Sequence, residues 1–180
     1  SLTTVEDFKK NLNLNKFNNI ILQNFAISDI DNTTITFNES QNDWESSLTH
    51  SEFDEKKITK IKTQKIDTII KNQKINDYSL LIKLDIEGNE LQAIEGAKNT
   101  IKKYKPIIII ELSSYIFNNK NQAFNYLKSF LSEFNYSIYS TKMKLITIED
   151  VTLLINNLDT KHKTIGNYYL INNKNIHKFK

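Results

Sequence analysis

The stretch from Leu80 to Glu111 limits the possible fold more than any other part of the sequence. Leu80-Leu81-Ile82-Lys83-Leu84-Asp85-Ile86 reads as a strand that ends at Gly88. Glu90 to Lys103 reads as a helix, with Leu91, Ile94, Ala97 and Ile101 on one stripe. Asn89 is placed to cap that helix, and Gln92, three residues on, to reach back. Pro106 then opens Ile107-Ile108-Ile109-Ile110, a continuous apolar run of strand length. Such a run suits a parallel strand covered on both faces. Strand, helix, strand over about thirty residues is a βαβ unit, with a right-handed crossover expected. The expected class is α/β, with a sheet that is mostly parallel in its middle.

The flanking text extends this sheet. Val5, Phe8 and Leu12 have helix spacing, with Thr3 or Thr4 as the expected cap. Ile20-Ile21-Leu22 through Ala26-Ile27 reads as a strand. Asp29 to Asn32 reads as a turn and Thr33 to Phe37 as a second strand, so a hairpin is expected. Asn38 to Glu55 is polar apart from Trp44, and reads as an irregular loop with the tryptophan as a packing anchor. Lys57 to Lys65 reads as a solvated-edge strand and Asp67 to Lys74 as a short helix. Ala123 to Phe134 is a second amphipathic helix, with Phe124, Leu127, Phe130 and Leu131 inward. Tyr136–Tyr139, Leu145–Ile148, Val151–Ile155 and Tyr168–Ile171 read as short strands or one short helix, forming an antiparallel edge. No repeat or Pro/Gly/Ser linker divides the chain, so residues 1–180 are treated as one domain.

Composition removes several function classes. Hydrophobic residues make up 39% of the 180 residues, and 24 basic groups face 21 acidic ones, so wholesale disorder is excluded. Three glycines are too few for a G-x-G-x-x-G or Walker loop. The absence of cysteine excludes disulfides, thiolate metal sites and a cysteine nucleophile. The basic residues are all lysine, scattered and mostly near acids, which reads as a solvated surface rather than a nucleic-acid patch. No apolar run approaches the roughly 20 residues of a membrane span. The first residues lack the basic and apolar regions of a signal peptide, and the expected location is the cytoplasm.

The strand around Lys83 breaks the rule for a central parallel strand. Lys83, Asp85 and Glu87 occupy alternate positions and share one face. Charged groups there either pair with one another or line a ligand crevice, which in open α/β sheets lies beyond the carboxyl ends of the strands. Glu111 closes the next strand at the same edge. If the strands are neighbours, Asp85, Glu87 and Glu111 converge, as a general base, a cation site or hydrogen-bond acceptors for ligand hydroxyls. The alternative is a buried Lys83–Asp85 pair, with Glu87 capping a turn and Glu111 solvated. His50, His162 and His177 have no metal-ligand spacing, and no metal site is expected from them. His162 and His177 lie in lysine-rich text, whereas His50 follows Ser46-Ser47-Leu48 in the long polar loop.

Three separated motifs then point one way. Ile82-Lys83-Leu84-Asp85-Ile86-Glu87-Gly88-Asn89-Glu90, next Gly96-Ala97, and next Pro106 to Glu111 resemble the K-x-D-x-E-G-x-E, G-A and P-x-x-x-x-E of the FkbM methyltransferases. Ala26-Ile27-Ser28-Asp29 is similar to that family's A-x-S-D strand ending, Ser46-Ser47-Leu48 to its serine-rich loop, and Ile66-Asp67-Thr68 to the segment before its fourth strand. The resemblance implies a Rossmann-like class I methyltransferase fold and transfer of a methyl group from S-adenosylmethionine to an oxygen. The acceptor would be a hydroxyl on a sugar, glycan or polyketide-like small molecule. It implies Asp85 and Glu87 as base or acceptor contacts, supported by Glu111, and Ala26 and Asp29 near the adenine. Ser47, His50 and Lys83 are the expected acceptor-side residues, Lys83 chiefly by orienting Asp85. The family's glycine-rich cofactor turn and its acidic second strand have no counterpart here. The chain is therefore expected to be a C-terminal part of such a domain and to bind cofactor poorly alone. A cation-dependent methyltransferase, and a non-enzymatic remnant or interaction module, are the rival readings.

Overall fold

The computed structural model describes residues 2–39, 57–73, 79–113, 120–156 and 164–179. Helix α1 covers Leu2–Leu14, so Thr3 and Thr4 fall inside it rather than before it. Strands β1 (Ala26–Ile27), β2 (Thr34–Glu39) and β3 (Lys57–Gln64) form one sheet in the order β1-β3-β2. The expected hairpin is thus corrected. β1 and β2 flank a turn but do not pair, because β3 lies between them, parallel to β1 and antiparallel to β2. β3 is correspondingly a central strand, not an edge. The extended reading of Ile20 to Ile27 shortens to two residues, and Ile20 and Ile21 remain exposed.

After α2 (Ile66–Asn72), the chain builds a second sheet. β4 (Leu81–Leu84) and β5 (Ile107–Ser113) run parallel, with Leu81 opposite Ile107 and Leu84 opposite Ile110. The βαβ unit is present, but its helix is two pieces, α3 (Glu90–Glu95) and α4 (Lys98–Tyr104). The break falls at Gly96–Ala97. Asp67 bonds across it, its carboxylate accepting from the Asn99 and Thr100 backbone N–H groups at 3.1 and 2.7 Å. These are free donors at the start of α4, and a carboxylate satisfies them as a cap from outside the helix.

α5 (Lys120–Phe134), β6 (Tyr136–Ser140), β7 (Leu145–Ile146), α6 (Ile148–Asn156) and β8 (Thr164–Asn172) follow. The sheet order is β4-β5-β8-β6-β7, with β8 antiparallel to both β5 and β6. The parallel pair β4–β5 lies at one end of this sheet rather than in its middle, and the antiparallel C-terminal strands complete a mixed sheet within the expected α/β class. β5 corrects one detail. Ile108, Ile110 and Leu112 are buried, whereas Ile107, Ile109 and Glu111 are only half-buried, so the strand is fully covered on one face. The core joins these residues to Leu84, Ile94 and Ile101 and to Leu127, Phe130, Ile138 and Leu170. Phe130 packs on Tyr136 with ring centroids 5.6 Å apart, and the Tyr136 hydroxyl donates to the Pro106 carbonyl at 2.7 Å. Among the described residues no helix is long and apolar enough to cross a membrane.

Candidate functional site

β4 and β5 are in register and parallel, so their carboxyl ends lie side by side. That register brings Asp85, Glu87 and Glu111 together, with one oxygen from each within 4.8 Å of the others. Asp85 is exposed, while Glu87 and Glu111 are half-buried. Burial, and next the charges of Asp85, Glu87 and Glu90, push the Glu111 carboxyl from the usual 4.5 up to about 7. A hydrogen bond with Asp85 also favours its protonated form. The negative charges of Asp85 and Glu87 so close by work against ionisation of Glu111.

The turn after β4 sets this geometry. Glu87 has φ 54° and Gly88 φ 104°. Glycine takes such a backbone freely, but for Glu87 the left-handed region costs roughly 1 kcal/mol. The Glu90 side chain is fully buried, and its two oxygens accept from the Ile86 and Gly88 N–H groups, each at 3.0 Å. Burial raises its carboxyl above the usual value, opposed by those two donors. The expected cap is therefore corrected. The Asn89 side chain makes no capping bond, and Glu90, rather than Asn89 with Gln92, holds the backbone here. Glu90 was legible only as the last letter of the K-x-D-x-E-G-x-E text, with no role attached.

Lys83 bonds Asp85, as the pair reading expected, but the two side chains are half-exposed rather than buried. Among the described residues, the buried side-chain atoms without a hydrogen-bond partner are Asn89 Nδ2, Glu111 Oε2 and Ser113 Oγ. They stand just after β4 and in the second half of β5, where an unpaired buried polar group costs free energy unless a ligand or water meets it. Sequence reasoning passed over Asn89 and Ser113 as ligand contacts, since nothing in their text distinguishes them. Ser47, His50 and Trp44 lie outside the described residues, as does His162, while His177 is exposed in a short 3₁₀ turn, Ile176–Phe179.

Ala26 and Asp29 are placed elsewhere, around the far end of α3. Ala26 pairs with Thr63, and the Ser28 hydroxyl donates to Asp29 at 3.0 Å. A Cβ on Gly96 would lie 2.2 Å from the Ser28 carbonyl oxygen, so the A-x-S-D segment and the helix break pack backbone to backbone. The glycines are thus accounted for without a cofactor cradle. Gly88 forms the acidic turn, Gly96 meets Ser28, and Gly166 lies in β8 with open space beside it. With Gly88, Gly96 and Gly166 so placed, none of the three glycines of the chain is left to cradle the methionine part of S-adenosylmethionine.

A crystal structure of Methyltransferase FkbM from Methylobacillus flagellatus KT is similar at 20% identity and a TM-score of 0.48, over 94% of this chain and 33% of that one. The chain thus spans about a third of that protein's length. A comparison with curated proteins returns no match. The family model described as Methyltransferase FkbM domain matches residues 2–138, most of the chain and all three motifs. The chain belongs to the FkbM methyltransferase family.

Proposed function

We propose that this chain carries the acceptor side of an S-adenosylmethionine-dependent O-methyltransferase acting on a hydroxylated small molecule or glycan. The observation that supports the reading most is the convergence of Asp85, Glu87 and Glu111 at the carboxyl ends of β4 and β5. S-adenosylmethionine would be the methyl donor. The chain's own residues handle the acceptor hydroxyl, whose proton must leave as its oxygen gains a carbon. Glu111 suits that task, because a base works best when its pKa lies near the working pH. Asp85 and Glu87 accept hydrogen bonds from the acceptor, and Lys83 orients Asp85. The unpaired Asn89 Nδ2 and Ser113 Oγ add donors that a polyhydroxylated acceptor could use. Ser47 and His50 remain acceptor-side proposals, and the cytoplasm remains the proposed location.

The test uses the full-length gene product, S-adenosylmethionine and a panel of sugar and polyketide alcohols. The Glu111 base is the ionised form, so turnover is expected to rise as pH climbs through about 7. Its effect on stability has the opposite sign. The folded value lies above 4.5, so stability from this group is complete below 4.5 and is lost as pH rises through about 7. Glu111→Gln should lower turnover by about 100-fold or more and abolish the rising limb. An unchanged profile removes Glu111 as base, and unchanged turnover in Asp85→Asn removes Asp85 from the site. The carboxylate spacing also favours a divalent cation as a second reading, since hard cations take oxygen ligands. Turnover abolished by a chelator and restored by Mg²⁺ would select it over the base reading.

We further read residues 1–180 as part of a methyltransferase domain, because β1 and β4 each end a sheet. Calorimetry should give much weaker S-adenosylmethionine binding to this chain than to the full-length gene product. Equal affinity would overturn that reading.

A further inference from the structure

We infer that Glu90 is the positioning residue of this site: its carboxylate clamps the Glu87–Gly88 turn and thereby aims Glu87 at Asp85 and Glu111. This deepens the proposed acceptor-side reading and rests on it. The two N–H groups that Glu90 binds belong to Ile86 and Gly88, the residues on either side of Glu87. Bridging them fixes the backbone of Glu87 itself, which otherwise relaxes out of its left-handed conformation. In the relaxed backbone the Glu87 side chain leaves along a different direction, and the three-carboxylate spacing is lost.

The chemistry demands a glutamate. A carboxylate has two acceptor oxygens and serves both donors at once. Glutamine has one acceptor oxygen and would turn its own NH₂ toward the second N–H. Aspartate is one methylene shorter and cannot span both. A purely structural buried carboxylate would support the core evenly. Here the bonds go to the turn that carries Glu87 and to the Glu90 backbone itself.

The decisive measurement is amide hydrogen exchange on the unaltered chain and on Glu90→Gln, with kcat and KM measured in the full-length gene product. In the unaltered chain the Ile86 and Gly88 amides should be protected although neither pairs in a strand. Exchange at the amide rate of open chain would overturn the clamp, whatever the variant does. In Glu90→Gln, protection at Ile86 and Gly88 should fall by about tenfold or more while Ile108, Ile110 and Leu170 keep theirs. The kcat should fall by up to about 100-fold with KM within a few-fold, as expected for a misplaced catalytic group. Uniform loss of protection across β5, or opened amides with unchanged kcat, would overturn the assignment. Glu90→Asp should not rescue, and full rescue counts against the bridge. If Asp85→Asn and Glu111→Gln are both silent, the carboxylate reading fails separately, and the exchange data still decide whether the clamp exists.

Discussion

The two ends of the chain treat their apolar residues in opposite ways. Among the described residues, every buried hydrophobic side chain except Ile66 lies between Leu84 and Ile171. Before Thr34, Leu14, Phe17, Ile20, Ile21 and Ile30 stay exposed, Leu14 by 79% and Ile21 by 69%. Both regions carry comparable apolar text. Ile107 to Ile110 finds β4 on one side, β8 on the other and helices over one face, whereas Ile20 to Leu22 finds no strand partner among the described residues. The lesson is that an apolar pattern gives a segment the capacity to pack, and a neighbour converts that capacity into burial. The site belongs to the well-packed end, and the A-x-S-D segment joins that end through the Gly96–Ser28 contact and through Ile27, which packs against the core.

That contrast is open to direct attack. Ile110→Ala should cost about 2–5 kcal/mol in urea or thermal unfolding, because Ile110 is fully buried in β5. A cost below about 1 kcal/mol would mean the well-packed end is no better packed than the other. Gly96→Ala should cost about 1–3 kcal/mol, since its Cβ would collide with the Ser28 backbone rather than with a flexible side chain. It should also loosen the amides around Ser28 more than those of β5 in hydrogen exchange. Equal loosening would show that the two regions unfold as one unit. Phe17→Ser should change stability by no more than about 0.5 kcal/mol, as Phe17 is mostly exposed. A larger loss would reveal that the N-terminal segment packs on something.

The legible parts of the fold are those whose signals are local. The βαβ unit was readable because Leu80–Ile86 and Ile107–Ile110 are long apolar runs around a helical stripe. The break at Gly96–Ala97 was not, since the stripe of Leu91, Ile94, Ala97 and Ile101 continues across it. The break comes from Asp67, thirty residues earlier, bonding the first amides of α4. β3 was misread as an edge because its lysines alternate with apolar residues, a pattern equally shared by a central strand of a small solvated sheet. At the site, alternation put Lys83, Asp85 and Glu87 on one face of a strand running to Ile86, but β4 ends at Leu84 and Glu87 joins the cluster from the left-handed turn that follows. The Glu90 clamp was invisible, because a buried carboxylate and a surface one are spelled alike. The half-exposure of Lys83 and Asp85 escaped for the same reason.

By itself, the sequence determined the α/β class, the parallel β4–β5 pair and the family, because periodicity and three spaced motifs are properties of the chain read in order. Tertiary structure alone decided that β3 lies between β1 and β2, that the helix after β4 breaks at Gly96, and that Glu90 grips the acidic turn. Those outcomes depend on which backbone groups meet across space. Hydrogen bonds and close contacts between residues tens of positions apart leave no periodic trace in the sequence.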